Sequence, residues 1–302
     1  MANHIHMANH TQGTPRPTRG VRFRTLAEEV FRRYGRRWKP RTLAVNRSYL
    51  RNQILPWFRD RPVAEITRGE VERWFASLRA TPAAANRSLP ILSVVLAEAE
   101  IHGHRPDDSN PCRGLRRYPE RPRERFLTAP ETRRLGAALT ARETTEPMLA
   151  AAVRLLLLTG CRQGEIRTLQ WRDYREGNLF LHDSKTGPRT VWLSSPARAV
   201  LGRLPRASRW MLPARRGDGP LRAAVLDRFW RRLRSAAGLP GVRLHDLRHS
   251  YASFALRQGE TLPTIARLLG HGGPGTTLRY AHAADGMLRD AVEAVGAALD
   301  VP

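Results

Sequence analysis

Residues 110–125 read NPCRGLRRYPERPRER. Three prolines and six arginines leave this run without an apolar period, so neither a helix nor a core strand is expected to pass through it. The break divides a chain of 302 residues into two segments. Each must bury a core of its own, in keeping with ~150 residues per domain. We read an N-terminal domain over residues 21–112, a basic linker over 113–125 and a second domain over 126–302. Residues 1–20 are polar, carry the tetrapeptide MANH twice, and are read as a disordered tail outside the fold. Such a basic, extended connection reads either as a strap that wraps a polyanion or as a plain solvated linker.

Charge points the same way. The chain carries 52 basic and 27 acidic residues, a net charge of +25. Self-repulsion on that scale calls for a polyanion to offset it, and nucleic acid is the leading partner. Only Lys39 and Lys185 are lysines, so 50 of the basic residues are arginine. Two cysteines, Cys112 and Cys161, exclude a disulfide scaffold and a four-cysteine zinc site, and fit a reducing cytoplasm. No apolar run reaches the ~18 residues of a membrane span.

The N-terminal domain reads as all-α. Thr25-x-x-Glu28 and Thr67-x-x-Glu70 look like capping boxes. Leu26, Val30, Phe31 and Tyr34 share one helix face, and Val71, Trp74, Phe75 and Leu78 another. A helix carrying Leu43, Arg47, Leu50 and Ile54 is expected to stop before Pro56. A further helix starts at Thr81-Pro82 and runs toward Gly103, although Pro90 inside it costs ~3 kcal/mol or forces a kink. The second domain opens with another capping box, Thr128-x-x-Glu131, and an apolar helix from Met148 ends at Thr159-Gly160. Residues 178–182 and 189–193 alternate like the strands of a β-hairpin, with Lys185 in its turn. Helices are expected at about 196–204, 220–237, 246–258, 263–269, 276–282 and 286–299, with Gly238, Gly259 and Gly270 at their C-terminal ends. The fold class is therefore mainly α: an all-α domain followed by a helical domain with a small antiparallel sheet.

Three segments concentrate chemistry: TGCRQGEIRTLQWRD at 159–173, HDLRHSYAS at 245–253 and LGHGGPGTTLRYAH at 269–282. His245 and Arg248 are three apart and share a helix face in its first turn, where free N–H groups favour an anion. Arg162 follows a glycine break at the start of another helix, with Glu165 placed to orient its guanidinium or to touch His245. His271 follows Gly270 at a helix end. Two arginines and two histidines are the parts needed to grip a phosphate and to stabilise extra charge on a pentacoordinate phosphorus. Tyr280, nine residues beyond His271, and Lys185 remain as nucleophile and acid. His249 reads as core or support, and Tyr251 and Trp171 as core. His4, His6, His10 and His104 show no metal-site spacing, and neither a metal nor a cofactor is expected.

In order and spacing these segments resemble the tyrosine recombinases, the family of phage integrases and Xer-type resolvases. The family pattern TG-x-R-x-x-E, hairpin lysine, H-x-x-R, LGH and tyrosine is matched by Thr159–Glu165, Lys185, His245–Arg248, Leu269–His271 and Tyr280. The resemblance implies site-specific strand transfer in double-stranded DNA through a 3′-phosphotyrosine on Tyr280. Arg162, Arg248 and His271 would hold the phosphate, His245 would accept the tyrosine proton, and Lys185 would protonate the leaving 5′-oxygen. An ammonium suits that task better than a guanidinium because its pKa is lower. The resemblance further implies a metal- and ATP-independent enzyme acting as a homotetramer on two DNA sites in the cytoplasm. The apolar stripe Leu288, Val292, Val295 and Leu299 would dock on a neighbouring protomer or pack on its own domain. With only about 20 residues ahead of Val21, the chain resembles the simple two-domain members rather than arm-site binders. Two other readings share parts of this evidence: a type IB topoisomerase-like DNA-relaxing enzyme, and a non-catalytic DNA-binding regulator.

Overall fold

The computed structural model describes residues 20–120, 125–182 and 187–271. Its chain separates into two units, one ending at Pro122 and the other beginning at Arg123. The expected helices at 276–282 and 286–299, with their apolar stripe, lie outside the described residues, as does most of the 1–20 segment.

The first unit is built from helices α1 (Phe23–Tyr34), α2 (Pro40–Tyr49), α3 (Leu55–Phe58), α4 (Arg68–Ser77) and α5 (Pro82–Ile101). Its core gathers Phe23, Leu26, Val30, Ile54, Phe58, Val71, Trp74, Leu92, Val95 and Leu96. Thr67 and Glu70 form a reciprocal capping box at the start of α4. Thr25 and Glu28 do not, because α1 begins two residues earlier. The N–H groups of Phe23 and Arg24 donate to the carbonyls of Arg61 and Arg59 at 2.9 and 3.1 Å. Chain beyond α3 thus satisfies the first free donors of a helix that already includes Thr25, and Glu28 turns to Arg24, at 2.8 Å.

Pro56 does not end a helix. A π-helical turn over Leu50–Ile54 joins α2 to α3, with the Leu55 N–H bonded to the Leu50 carbonyl. The widened turn places Pro56 in the first turn of α3, where its missing N–H leaves no bond unmade. Pro90 is likewise carried inside α5, which runs unbroken for 20 residues. Leu89, Leu92, Val95 and Leu96 of that helix are buried. At ~1.5–3 kcal/mol each, their burial outweighs the ~3 kcal/mol that the proline costs.

The proline- and arginine-rich segment is anchored over its first half. The Asn110 side-chain amide donates to the Ser93 carbonyl at 2.9 Å and its backbone N–H donates to Glu100 at 2.7 Å, while Cys112 is buried. Tyr118 stacks on Phe75 with ring centroids 4.6 Å apart, and its backbone N–H and carbonyl both bond to the Asn86 side chain. Partners on α4 and α5 hold this stretch where an apolar period could not.

The second unit contains α6 (Ala129–Thr140), α7 (Pro147–Thr159), α8 (Gln163–Arg167), α9 (Ser195–Gly202), α10 (Ala223–Ala236), α11 (Asp246–Arg257) and α12 (Leu262–Leu269). The expected capping box of Thr128 and Glu131 opens α6. Arg125 pairs with the same Glu131, and these contacts pull its carboxyl down to about 2. The hairpin is present as β2 (Asn178–Leu181) and β3 (Arg189–Val191), each shorter than its alternating run. A two-residue strand not foreseen from sequence, β1 (Tyr174–Arg175), pairs antiparallel with β2 to complete the order β1-β2-β3. Buried α7 is central to a core that includes Leu135, Leu155, Ile166, Leu179, Leu226, Phe229 and Leu247. The molecule is thus mainly helical with one small antiparallel sheet. Among the described residues no helix is long and apolar enough to cross a membrane.

Candidate active site

The site grows from two chain reversals and one helix start in the second unit. Helix α7 ends at Gly160, whose φ of +62° lies in the left-handed region that favours glycine. A Cβ there would come within 2.7 Å of both Leu269 and Tyr251, so the residue must be small as well as left-handed. The chain then turns into α8 with Arg162 as its N-cap residue. The backbone N–H of Arg162 donates to one oxygen of Glu165 and its Nη1 to the other, both at 2.8 Å. Arg162 Nη2 reaches across to the carbonyl of Gly270, at 3.2 Å.

Gly270 forms the second reversal, ending α12 with φ +66°. The N–H of His271, just beyond it, donates to the Ala266 carbonyl at 3.0 Å, and the residue is half-buried. The third element is the start of α11. His245 is its N-cap residue, and Arg248 is buried with Nη1 donating to the Gly160 carbonyl at 2.8 Å. Each of the two arginines therefore holds a carbonyl at one of the glycine reversals.

Electrostatics follow from this packing. Burial and then the Arg248 guanidinium push His245 below its ordinary 6.5, with Arg243 and Arg162 adding to the effect and Asp246 opposing it. The imidazole is thereby kept neutral and able to accept a proton at pH 7. Burial alone would raise the Glu165 carboxyl, but the Arg162 N–H and the guanidiniums of Arg189 and Arg162 outweigh it and hold the group below the usual range. His249 packs edge-on against His245, with centroids 4.9 Å apart, which gives it a supporting place. Tyr251 lies against Gly160, and burial raises its hydroxyl.

Of the residues singled out from sequence, Arg162, Glu165, His245, Arg248 and the Gly270–His271 turn fall in this one region. Glu165 bonds to Arg162, the first of its two expected partners. Lys185 and Tyr280 lie outside the described residues. Sequence reasoning missed Arg189, which it treated only as a strand residue. Its side chain is 10% exposed, its Nη2 lies 2.9 Å from Glu165, and its Nη1 donates to the Leu268 carbonyl at 3.1 Å. The available signal was its place, four residues after Lys185 at the head of β3. Arg162 and Arg189 share the carboxylate of Glu165, an excess of positive charge that suits a phosphodiester, and Arg248 binds the nearby Gly160 carbonyl. Among the described residues no group of His, Cys, Asp or Glu could hold a metal ion.

Comparison with known proteins agrees in extent with both units. Residues 125–287, more than half of the chain, match the phage integrase family, and residues 23–117 match the phage integrase central domain. A putative prophage phiRv2 integrase of Mycobacterium tuberculosis is 30% identical over 275 residues, covering 83% of this chain and 72% of that one. The tyrosine recombinase XerD of Brucella suis biovar 1 is 30% identical over 247 residues, covering 73% of this chain and 79% of its own. In fold, the chain resembles a lambda integrase dimer bound to a COC′ core site, with a TM-score of 0.73, 24% identity, and coverage of 85% and 94% of the two chains. A lambda integrase tetramer bound to a Holliday junction is similar at a TM-score of 0.72 and 23% identity, covering 84% and 79%. On its motifs, its fold and its relatives together, this chain belongs to the phage integrase family, the site-specific tyrosine recombinases.

Proposed function

We propose that this recombinase cleaves and rejoins double-stranded DNA through Tyr280. Residues 21–112 form a DNA-binding domain, residues 113–125 a basic connection, and residues 126–302 the catalytic domain. The observation that carries the reading is the cluster in which Arg162, Glu165, Arg248, His245 and the Gly270–His271 turn meet through the glycine reversals.

Arg162 and Arg248 hold the nonbridging oxygens of the scissile phosphate, and His271 donates a further hydrogen bond. The Tyr280 oxygen attacks phosphorus while its proton passes to neutral His245. The bond from phosphorus to the 5′-oxygen breaks, and Lys185 supplies the proton that makes a free 5′-hydroxyl. The 3′-phosphotyrosine keeps the energy of the broken ester, so a 5′-hydroxyl from another strand reverses the step without ATP. The guanidinium pair takes the part that a metal ion plays in other phosphoryl transfers, so the reaction needs no metal. Two rounds of such exchange call for four protomers on two sites. The lambda integrase tetramer on a Holliday junction and the apolar stripe Leu288–Leu299 support a homotetramer here. Action on chromosomal or phage DNA places the protein in the cytoplasm, at the nucleoid.

The deciding experiment uses a nicked DNA substrate whose released end diffuses away, trapping the covalent adduct. Tyr280→Phe removes one oxygen and almost no volume, so binding persists and the adduct disappears. Adduct formation by the Phe variant would move the nucleophile elsewhere.

A further inference from the structure

Arg189 occupies a place that the reaction above does not use. It stands at the head of β3, directly after the hairpin turn, and its side chain is almost wholly buried. One guanidinium nitrogen meets Glu165 at 2.9 Å and the other the Leu268 carbonyl at 3.1 Å. Its aliphatic end lies against Gly270, where a Cβ would sit 2.3 Å from the arginine Cδ. Three segments far apart in sequence, at 165, 189 and 268–270, are thus joined by one side chain.

The allocation of the Glu165 oxygens shows what this contact does. Oε1 takes Nη1 of Arg162, while Oε2 takes the Arg162 backbone N–H and Nη2 of Arg189. A guanidinium and a carboxylate left to themselves close into a two-pronged pair. With Oε2 filled by the Arg162 backbone N–H and by Arg189 together, the Arg162 guanidinium meets the carboxylate through one nitrogen, and its Nη2 reaches the Gly270 carbonyl instead. The Leu268 carbonyl belongs to the last turn of α12, which has no further helical N–H to receive, and Arg189 caps it. The same fork therefore steadies the turn that carries Gly270 and His271.

We propose that Arg189 is a positioning residue of the recombination reaction: it helps to block the two-pronged Arg162–Glu165 pair and caps α12, so that Arg162 and His271 are held for the scissile phosphate. The inference rests on the reading of Arg162 as a phosphate clamp. A lysine at 189 could meet either Glu165 or the Leu268 carbonyl, and a methionine neither.

The test measures single-turnover adduct formation on the nicked substrate and, separately, equilibrium binding to a half-site. Arg189→Met should bind DNA within about threefold of wild type and cleave about 10²-fold more slowly, the loss expected of a misplaced group. Arg189→Lys should fall between. Combined with Glu165→Gln, Arg189→Met should add little further loss, since both act on the same guanidinium. A substrate with sulfur in place of the bridging 5′-oxygen needs no proton on departure, so it should not restore Arg189→Met, whose defect lies at the nonbridging oxygens. Cleavage close to wild type, losses that multiply in the double variant, or rescue by sulfur would each overturn the proposal; rescue would place the effect on the Lys185 hairpin. If Arg189→Met does not fold, Arg189→Lys with Glu165→Gln decides the same question. Failure of the broader reading is distinguishable, because wild type itself would then form no Tyr280-dependent adduct.

Discussion

Arginine does two different jobs in the two units. In the first unit Arg105 is 7% exposed and its donors are turned onto the chain itself. Nη1 donates to the carbonyls of Val63 and Ile66, Nη2 to the Ser109 carbonyl at 3.0 Å, and Nε to the Ser109 hydroxyl. It is a buckle that closes two loops on one another. In the second unit Arg162 uses the same kind of bonds, to Glu165 and Gly270, yet its side chain stays 24% exposed. The carbonyls that Arg162 and Arg248 hold belong to glycine reversals, and both guanidiniums act on the His245 ring. Buried arginines are therefore not a signature of a site by themselves. Arg248 is as buried as Arg105, and what sets it apart is that Arg162 and Arg248 act together on one histidine from separate chain segments.

Replacing each kind of arginine sharpens the contrast. Arg162→Ala should leave the fold in place, because Glu165 keeps Arg189 as a partner. Cleavage should nevertheless drop by about 10²–10³, the usual loss when a preorganised charge donor is removed. Adduct yield with time on the nicked substrate measures it, and a chelator should change neither protein's rate. A variant that cleaves normally would make Arg162 a second buckle and erase the distinction.

Arg105→Met should do the reverse. It leaves the Val63 and Ile66 carbonyls without their donor, at about 1–3 kcal/mol for each buried group left unsatisfied. Denaturant unfolding followed by the tryptophans of the first unit should show that loss. Below its transition the variant should form adduct at the wild-type rate. A cleavage defect without loss of stability would show that Arg105 belongs to the functional machinery.

The smallest effect concerns protons. Burial and the nearby Arg248 lower the pKa of His245 in the folded chain, so the native state favours the neutral ring. Between the ordinary 6.5 and the lower folded value the unfolded chain binds the extra proton. His245 therefore contributes stability above pH 6.5 that is lost as pH falls through the folded value. In the free protein its ring resonances should titrate below 6.5, and the acid limb of second-order cleavage should follow the same midpoint. A midpoint at or above 6.5 would mean that the guanidiniums do not act on this ring, and the picture of a convergent site would weaken.

Much of the second unit was legible because its signals are local. The Thr128–Glu131 box, the Arg162–Glu165 bond and the shared face of His245 and Arg248 each span three residues, within reach of a single helical turn. Glycines at 160 and 270 announce reversals through their own backbone freedom. The elements that went astray depend on distant partners. Thr25 and Glu28 carry a valid capping pattern, yet the carbonyls of Arg59 and Arg61 reached the helix start first. The two-residue strand β1 exists because β2 pairs with it, and two residues hold too little pattern to announce themselves.

Local chain chemistry was enough to set the mainly helical class, the turns and caps, and the order of the candidate site residues. Each of those is written within a few residues along the chain, where bond geometry and side-chain reach leave little choice. Long-range packing was needed to carry Pro56 and Pro90 inside helices, since the gain from burying α5 is invisible until its neighbours are in place. The same packing turned Arg189 to Glu165 and Leu268 rather than to solvent. Both outcomes turn on which groups from far along the chain arrive to replace water, and no local spacing encodes that.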